Sequence, residues 1–135
     1  MKTIKAAKIH FAIFGVNGEE KYLNKPVTLN GIAIGILPTS PKHNLDAWNE
    51  AALDVPKDKL SLLAADNVTT VTNCGGDCFK MSDIGLAVQL PDGTWVESSR
   101  DLKVYCSVGP GWLYFEGTPF KNNASPEIKL ALPVQ

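Results

Sequence analysis

Alternation of apolar and polar residues is the strongest signal along the chain. Ile84, Leu86, Val88 and Leu90 alternate with Asp83, Gly85, Ala87 and Gln89. Leu102, Val104, Cys106 and Val108 alternate with Lys103, Tyr105 and Ser107, and near the end Ile128, Leu130, Leu132 and Val134 alternate with Lys129 and Ala131. A period of two sends successive side chains to opposite faces of a strand, so these runs predict antiparallel sheet with one face on a core and the other in water. The stretch 9–16 differs: Ile9, Phe11 and Ile13 form one apolar row, and Ala12, Phe14 and Val16 form a second. That end of the strand is expected to be covered on both faces.

Turn residues cut these runs into short pieces. Asn17-Gly18 follows 9–16, Asn30-Gly31 follows 21–29, and Pro38 closes 32–37. Asn-Gly suits hairpin positions that require positive φ, so the first third reads as a meander of three strands. Pro91-Asp92-Gly93 turns the chain into a strand at 94–99, and Gly109-Pro110-Gly111 leads into another at 112–116. One segment carries a helical period: Asn44 can cap 45–53, where Leu45, Trp48 and Ala52 share a side opposite Asp46, Asn49 and Glu50. Pro56 favours a short helical turn within 54–65. The expected fold is mostly β, an antiparallel β-sandwich or barrel of about eight or nine short strands, with one short α-helix inserted near 45–53, in a single domain spanning 1–135.

Composition supports an ordinary core. With 135 residues, 44% hydrophobic and 20% charged, the chain is long enough to bury roughly two-thirds of the surface its unfolded form exposes. Thirteen basic and fourteen acidic side chains leave a formal charge of -1 without a long like-charge run, which argues against nucleic acid or a membrane surface as partner. No apolar run approaches the roughly 18 residues of a membrane span. Lys5, Lys8 and His10 interrupt the first apolar stretch, which reads as a strand and not a signal peptide, so a soluble, cytoplasmic protein is expected. Three cysteines, an odd number, argue against a secreted disulfide framework.

Two features could carry chemistry. The first is the tight loop Asn73-Cys74-Gly75-Gly76-Asp77-Cys78. Its thiols can close a disulfide, help hold a metal or present a reactive thiolate, with Asp77 or His43 as proton-handling partner; alternatively Gly75 and Gly76 simply make a turn. The cysteine spacing of three differs from the familiar zinc and redox pairs, and only Cys106, His10 and His43 remain as further soft ligands, so no metal or other cofactor is expected. No phosphate-cradling glycine motif is present, and Asp92 and Asp101 have sufficient roles in turns.

The second feature is aromatic. In the run Trp112-Leu113-Tyr114-Phe115, a period of two puts Trp112 and Tyr114 together, while Trp95 and Tyr105 fall opposite the clearer apolar rows of their strands. If neighbouring strands pair, Trp95, Tyr105, Trp112 and Tyr114 form one amphipathic patch or line a pocket; otherwise they are a second apolar layer under the helix and N-terminal strands. The sequence therefore points to a non-enzymatic binding or interaction module that uses this aromatic face for a protein partner or small apolar ligand. The alternatives are a small thiol-dependent or metal-binding protein centred on Cys74, Asp77 and Cys78, and a structural homo-oligomer such as a homodimer.

Overall fold

A computed structural model describes residues 3–109 and 112–133. Ten strands form two sheets: β1 (Ala6–Phe14), β2 (Pro26–Leu29), β3 (Ile32–Ile36), β4 (Asn49–Asp54), β5 (Asp66–Val71), β6 (Lys80–Gln89), β7 (Trp95–Glu97), β8 (Tyr105–Ser107), β9 (Thr118–Phe120) and β10 (Glu127–Ala131). One sheet runs β4-β1-β6-β8-β9, with β7 on the C-terminal half of β6; the other runs β10-β5-β2-β3. All pairs are antiparallel except β8 with β9. Among the described residues both sheets keep open edges and neither closes into a barrel; they pack in a sandwich-like arrangement over one shared core.

Alternation explains that core. Ala7, Ile9, Phe11 and Ile13 of β1 and Ile84, Leu86 and Val88 of β6 point inward, where they meet Val27 and Leu29 of β2 and Ile128 and Leu130 of β10. Leu132 is buried beyond β10, as its row predicts, while Val134, Pro110 and Gly111 lie outside the described residues. Phe14 and Val16 are buried as well, so the end of β1 is covered on both faces as expected. At Asn30 and Gly31 φ is 50° and 85°, which gives the tight hairpin expected between β2 and β3. Lys57–Leu62 forms a short 3-10 turn after Pro56, in keeping with the helical turn read from that stretch.

Three expectations are overturned. The first third is not a meander, because β1 lies between β4 and β6 in one sheet while β2 and β3 belong to the other. Asn17 instead makes a local turn in which the Glu19 N–H donates to its side-chain Oδ1 at 2.9 Å. The α-helix at 45–53 does not form: a turn precedes Trp48, and Asn49–Asp54 is an edge strand paired to β1 from Ile13 to Lys8. Nine residues are too few for a stable isolated helix, and six ladder pairs on the open edge of β1 outweigh a weak local preference. The third correction concerns 102–116. Only Tyr105–Ser107 is strand in the first half, Leu102 is 72% exposed, and Trp112–Glu116 is a turn-containing loop with no strand. The inward–outward rhythm breaks because all three residues of the short β8 are buried, which leaves no wet face.

Candidate functional site

Phe14, the last residue of β1, points away from the sandwich core and gathers the side chains of three other segments. Its ring lies 5.7 Å from that of Trp48, which sits just before β4, and 5.4 Å from Tyr114 in the loop between β8 and β9. Tyr114 in turn meets Trp112 edge-on at 6.2 Å. Interplanar angles of 60°, 52° and 65° are the tilted and edge-to-face arrangements that the ring quadrupole favours.

The β ladder supplies the charge beneath this cluster. Phe14 is paired across strands with Lys80, whose Nζ stands 4.0 Å from the Phe14 ring centroid and 5.2 Å from that of Trp48. The Lys80 side chain is nearly buried, and its ammonium donates to the carboxylate of Glu116 on the same loop as Tyr114. A buried ammonium requires this kind of compensation, an ion pair plus aromatic faces. Tyr114 on Phe14 and Glu116 on Lys80 thus fasten the 112–116 loop to the sheet at two points. The outer part of the cluster remains in solvent: Trp48, Tyr114, Phe115 and, most of all, Leu113 are exposed.

The thiol loop arrives at the same end of the molecule. Trp112, Asp77 and Cys78 line one small cleft of about 90 Å³ together with Gly15, Leu45 and Asp46. The cleft forms because β1 ends there: the Gly15 N–H donates to the Leu45 carbonyl at 2.8 Å, which draws the 39–48 loop across the strand end.

Beneath it, the loop is pinned by buried polar groups. Lys25, 1% exposed, donates from Nζ to the carbonyls of Tyr22 and, at 3.3 Å, Gly76, and it lies 5.5 Å from the centroid of the Phe79 ring. Burial pushes its pKa down, countered in part by the charge of Asp77. Asn73 Nδ2 donates to the Asp77 carbonyl at 3.0 Å and to Ser107 Oγ at 2.7 Å. A Cβ at Gly75 would stand 2.7 Å from the Tyr22 carbonyl oxygen, so only glycine fits against that backbone.

The thiols themselves are free: Cys74 is exposed, Cys78 is half-buried and Cys106 is in the interior. Burial raises the pKa of Cys78, and the neighbouring Asp77 and Cys106 raise it further, the reverse of what an activated thiolate needs. Among the described residues no three His, Cys, Asp or Glu side chains gather as a metal site, and His43 is not among the residues that line the cleft with Cys78. His10 Nδ1 instead lies 3.2 Å from Arg100, which also reaches Asp83 and Glu97 at 3.4 Å each.

The four aromatics expected to form one patch fall into three environments. Trp112 and Tyr114 meet. Trp95 stands apart on β7, which pairs with β6 at Ala87–Gln89, whereas Lys80 and its cluster lie at the opposite end of that strand. It is 44% exposed, with Lys8 Nζ 4.9 Å from its ring centroid. Tyr105 belongs to the core, and its hydroxyl donates to Asp101; burial, then that hydrogen bond, raises its pKa well above the usual phenol value.

Phe14, Trp48 and Lys80, none of them singled out from sequence as a site residue, complete the cluster together with Glu116. The doubly apolar end of β1 was the available signal for Phe14. Nothing local marks Lys80 or Glu116, since their pairing depends on a register and a loop path. Compared with known proteins, the chain matches no family model, no curated protein and no solved structure.

Proposed function

We propose that the chain is a non-enzymatic binding module whose loop end, built on Phe14, Trp48, Trp112 and Tyr114, takes an apolar surface offered by a protein partner or a small apolar ligand. The observation that carries this reading is the convergence of aromatic rings from two separate loops onto Phe14, with Trp48 and Tyr114 each more than two-fifths exposed and Leu113 and Phe115 beside them in the chain. Isolated exposed aromatics are common, but a contiguous apolar surface rimmed by polar groups is the composition of recognition sites. Asp46 and Asp77 line the cleft beside Trp112, but Asp77 faces the charge of Lys25 and Glu116 is paired with Lys80, so the site carries little net charge and suits a neutral apolar surface.

Nile red, a neutral apolar dye, tests the site. Wild-type protein is expected to enhance its fluorescence, and a Trp48→Ala/Tyr114→Ala variant is expected to lose most of that enhancement while keeping its circular dichroism spectrum. Equal enhancement by the two folded proteins would remove the reading. The thiol-centred alternative makes the opposite emphasis testable: iodoacetamide should modify exposed Cys74 faster than Cys78, because burial holds the latter protonated. Faster reaction at Cys78 than at a model thiol would move the centre of function to that loop.

A further inference from the structure

We propose that β4 is a docking edge for an extended basic segment of a partner protein, which adds to the sheet antiparallel to β4 and sets an apolar side chain against Trp48. This rests on the loop end as an apolar recognition surface and names what reaches it. An open sheet edge presents unpaired backbone N–H and C=O groups to any strand that can lie beside it. Among the described residues β4 is the longest such edge, six residues from Asn49 to Asp54, paired to β1 on its other side in an unbroken register. The remaining edges are shorter or interrupted: β7 and β9 have three residues each, β9 carries Pro119, β10 carries charges of both signs and β3 contains a bulge.

Side chains along β4 select the occupant. Glu50, Ala52 and Asp54 are exposed on one face, while Asn49, Ala51 and Leu53 are half-buried on the other, where Ala51 and Leu53 pack against the core. Neither acid is answered by its neighbour on β1. Glu50 lies across from Ala12, and Asp54 lies across from Lys8, whose ammonium turns the other way, over the Trp95 ring. Among the described residues no ion pair involves either acid.

A strand added on the free side brings its side chains directly opposite those of β4, close enough to interact. Two cationic side chains four positions apart match Glu50 and Asp54, and apolar side chains between them, opposite Ala51 and Leu53, continue the core. Trp48 immediately precedes β4 and is 41% exposed, so the end of the added strand meets the aromatic cluster. A second copy of β4 does not fit. About a two-fold axis at Ala52, Glu50 of one chain faces Asp54 of the other, and like charges directly opposite are destabilising. The acids that repel a copy are the ones that select a basic segment.

The probe is a synthetic peptide, Lys-Val-Thr-Val-Lys-Thr-Phe, whose first lysine falls opposite Asp54 and whose phenylalanine falls opposite Trp48. Titrated to millimolar concentration into isotopically labelled protein, it is expected to shift the amide resonances of 49–54 and the Trp48 indole N–H, with those of β10 unmoved. A Glu50→Lys/Asp54→Lys variant is expected to bind this peptide about tenfold more weakly and to bind instead the peptide with glutamate in place of both lysines. No shift at 49–54 in the wild type, or equal binding of the lysine and glutamate peptides, would overturn the proposal and leave the acids as groups that only keep the edge unpaired. Nile red separates this inference from the one beneath it. Peptide failure with dye enhancement intact removes the docking edge alone, whereas absence of dye enhancement in the wild type removes the apolar recognition surface itself.

Discussion

Trp112 and Tyr114 at the loop end differ from Trp95 and Tyr105 in the body of the sheet by what surrounds them, not by what they are. At the loop end, rings from β1 and two loops stack around Phe14 with Lys80 beneath them. In the body, Trp95 lies alone under Lys8 and Tyr105 is sealed in the core against Asp101. The comparison teaches that an aromatic residue on an expected outward row is weak information by itself. A surface suited to recognition, as we propose for the loop end, needs several segments delivered to one place, and the end of β1 does the delivering.

Substitution at the hub should break the loop end most severely. Phe14→Ala removes the ring against which Trp48, Tyr114 and Lys80 pack, and is expected to cost about 3 kcal/mol of unfolding free energy together with the dye enhancement. Urea unfolding measures it, and a loss below about 1 kcal/mol would mean the rings do not depend on one another.

Tyr105→Phe sharpens the other side. It deletes the hydrogen bond to Asp101 and is expected to cost about 1 kcal/mol at neutral pH. The sign of its pH dependence follows from the raised pKa. The folded protein holds the phenol proton where the unfolded chain has begun to release it, so the contribution is complete below about pH 10 and is lost as pH rises towards the folded value. The gap between wild type and Tyr105→Phe should therefore narrow above about pH 10 in alkaline urea titrations, and a gap that widens there would contradict the assignment.

The smallest effect is expected for Trp95→Ala, under about 1 kcal/mol, because its ring is half in water and contributes only a cation–π contact with Lys8. Nile red binding should be unchanged. Loss of binding in this variant would reunite Trp95 with the loop-end cluster and undo the comparison.

What could be read in advance follows a physical division. β10 was legible because burial on one face imposes period two, and the Asn30-Gly31 hairpin because few residues accept positive φ; β6 was read as a strand from its alternating residue types, but it is buried on both faces from Ile84 to Val88, without the wet face expected. Where local preference was weak, neighbours decided. The 45–53 stretch has a helical spacing yet forms a turn followed by β4, since β1 offered an unpaired edge. The 102–116 stretch alternates yet contributes only the three residues of β8, which are buried on every side.

The site divides in the same way. The meeting of Trp112 with Tyr114 and the burial of both faces at the end of β1 lie in the sequence itself, because they join residues close together in the chain. That Trp48 joins them, that Lys80 lies beneath Phe14 and bonds Glu116, and that Cys78 and Asp77 share a cleft with Trp112 were decided by tertiary structure alone. Each of these joins residues more than thirty positions apart. Their meeting depends on the cross-strand register of β1 with β4 and β6 and on the path of the 112–116 loop, and no local pattern encodes either.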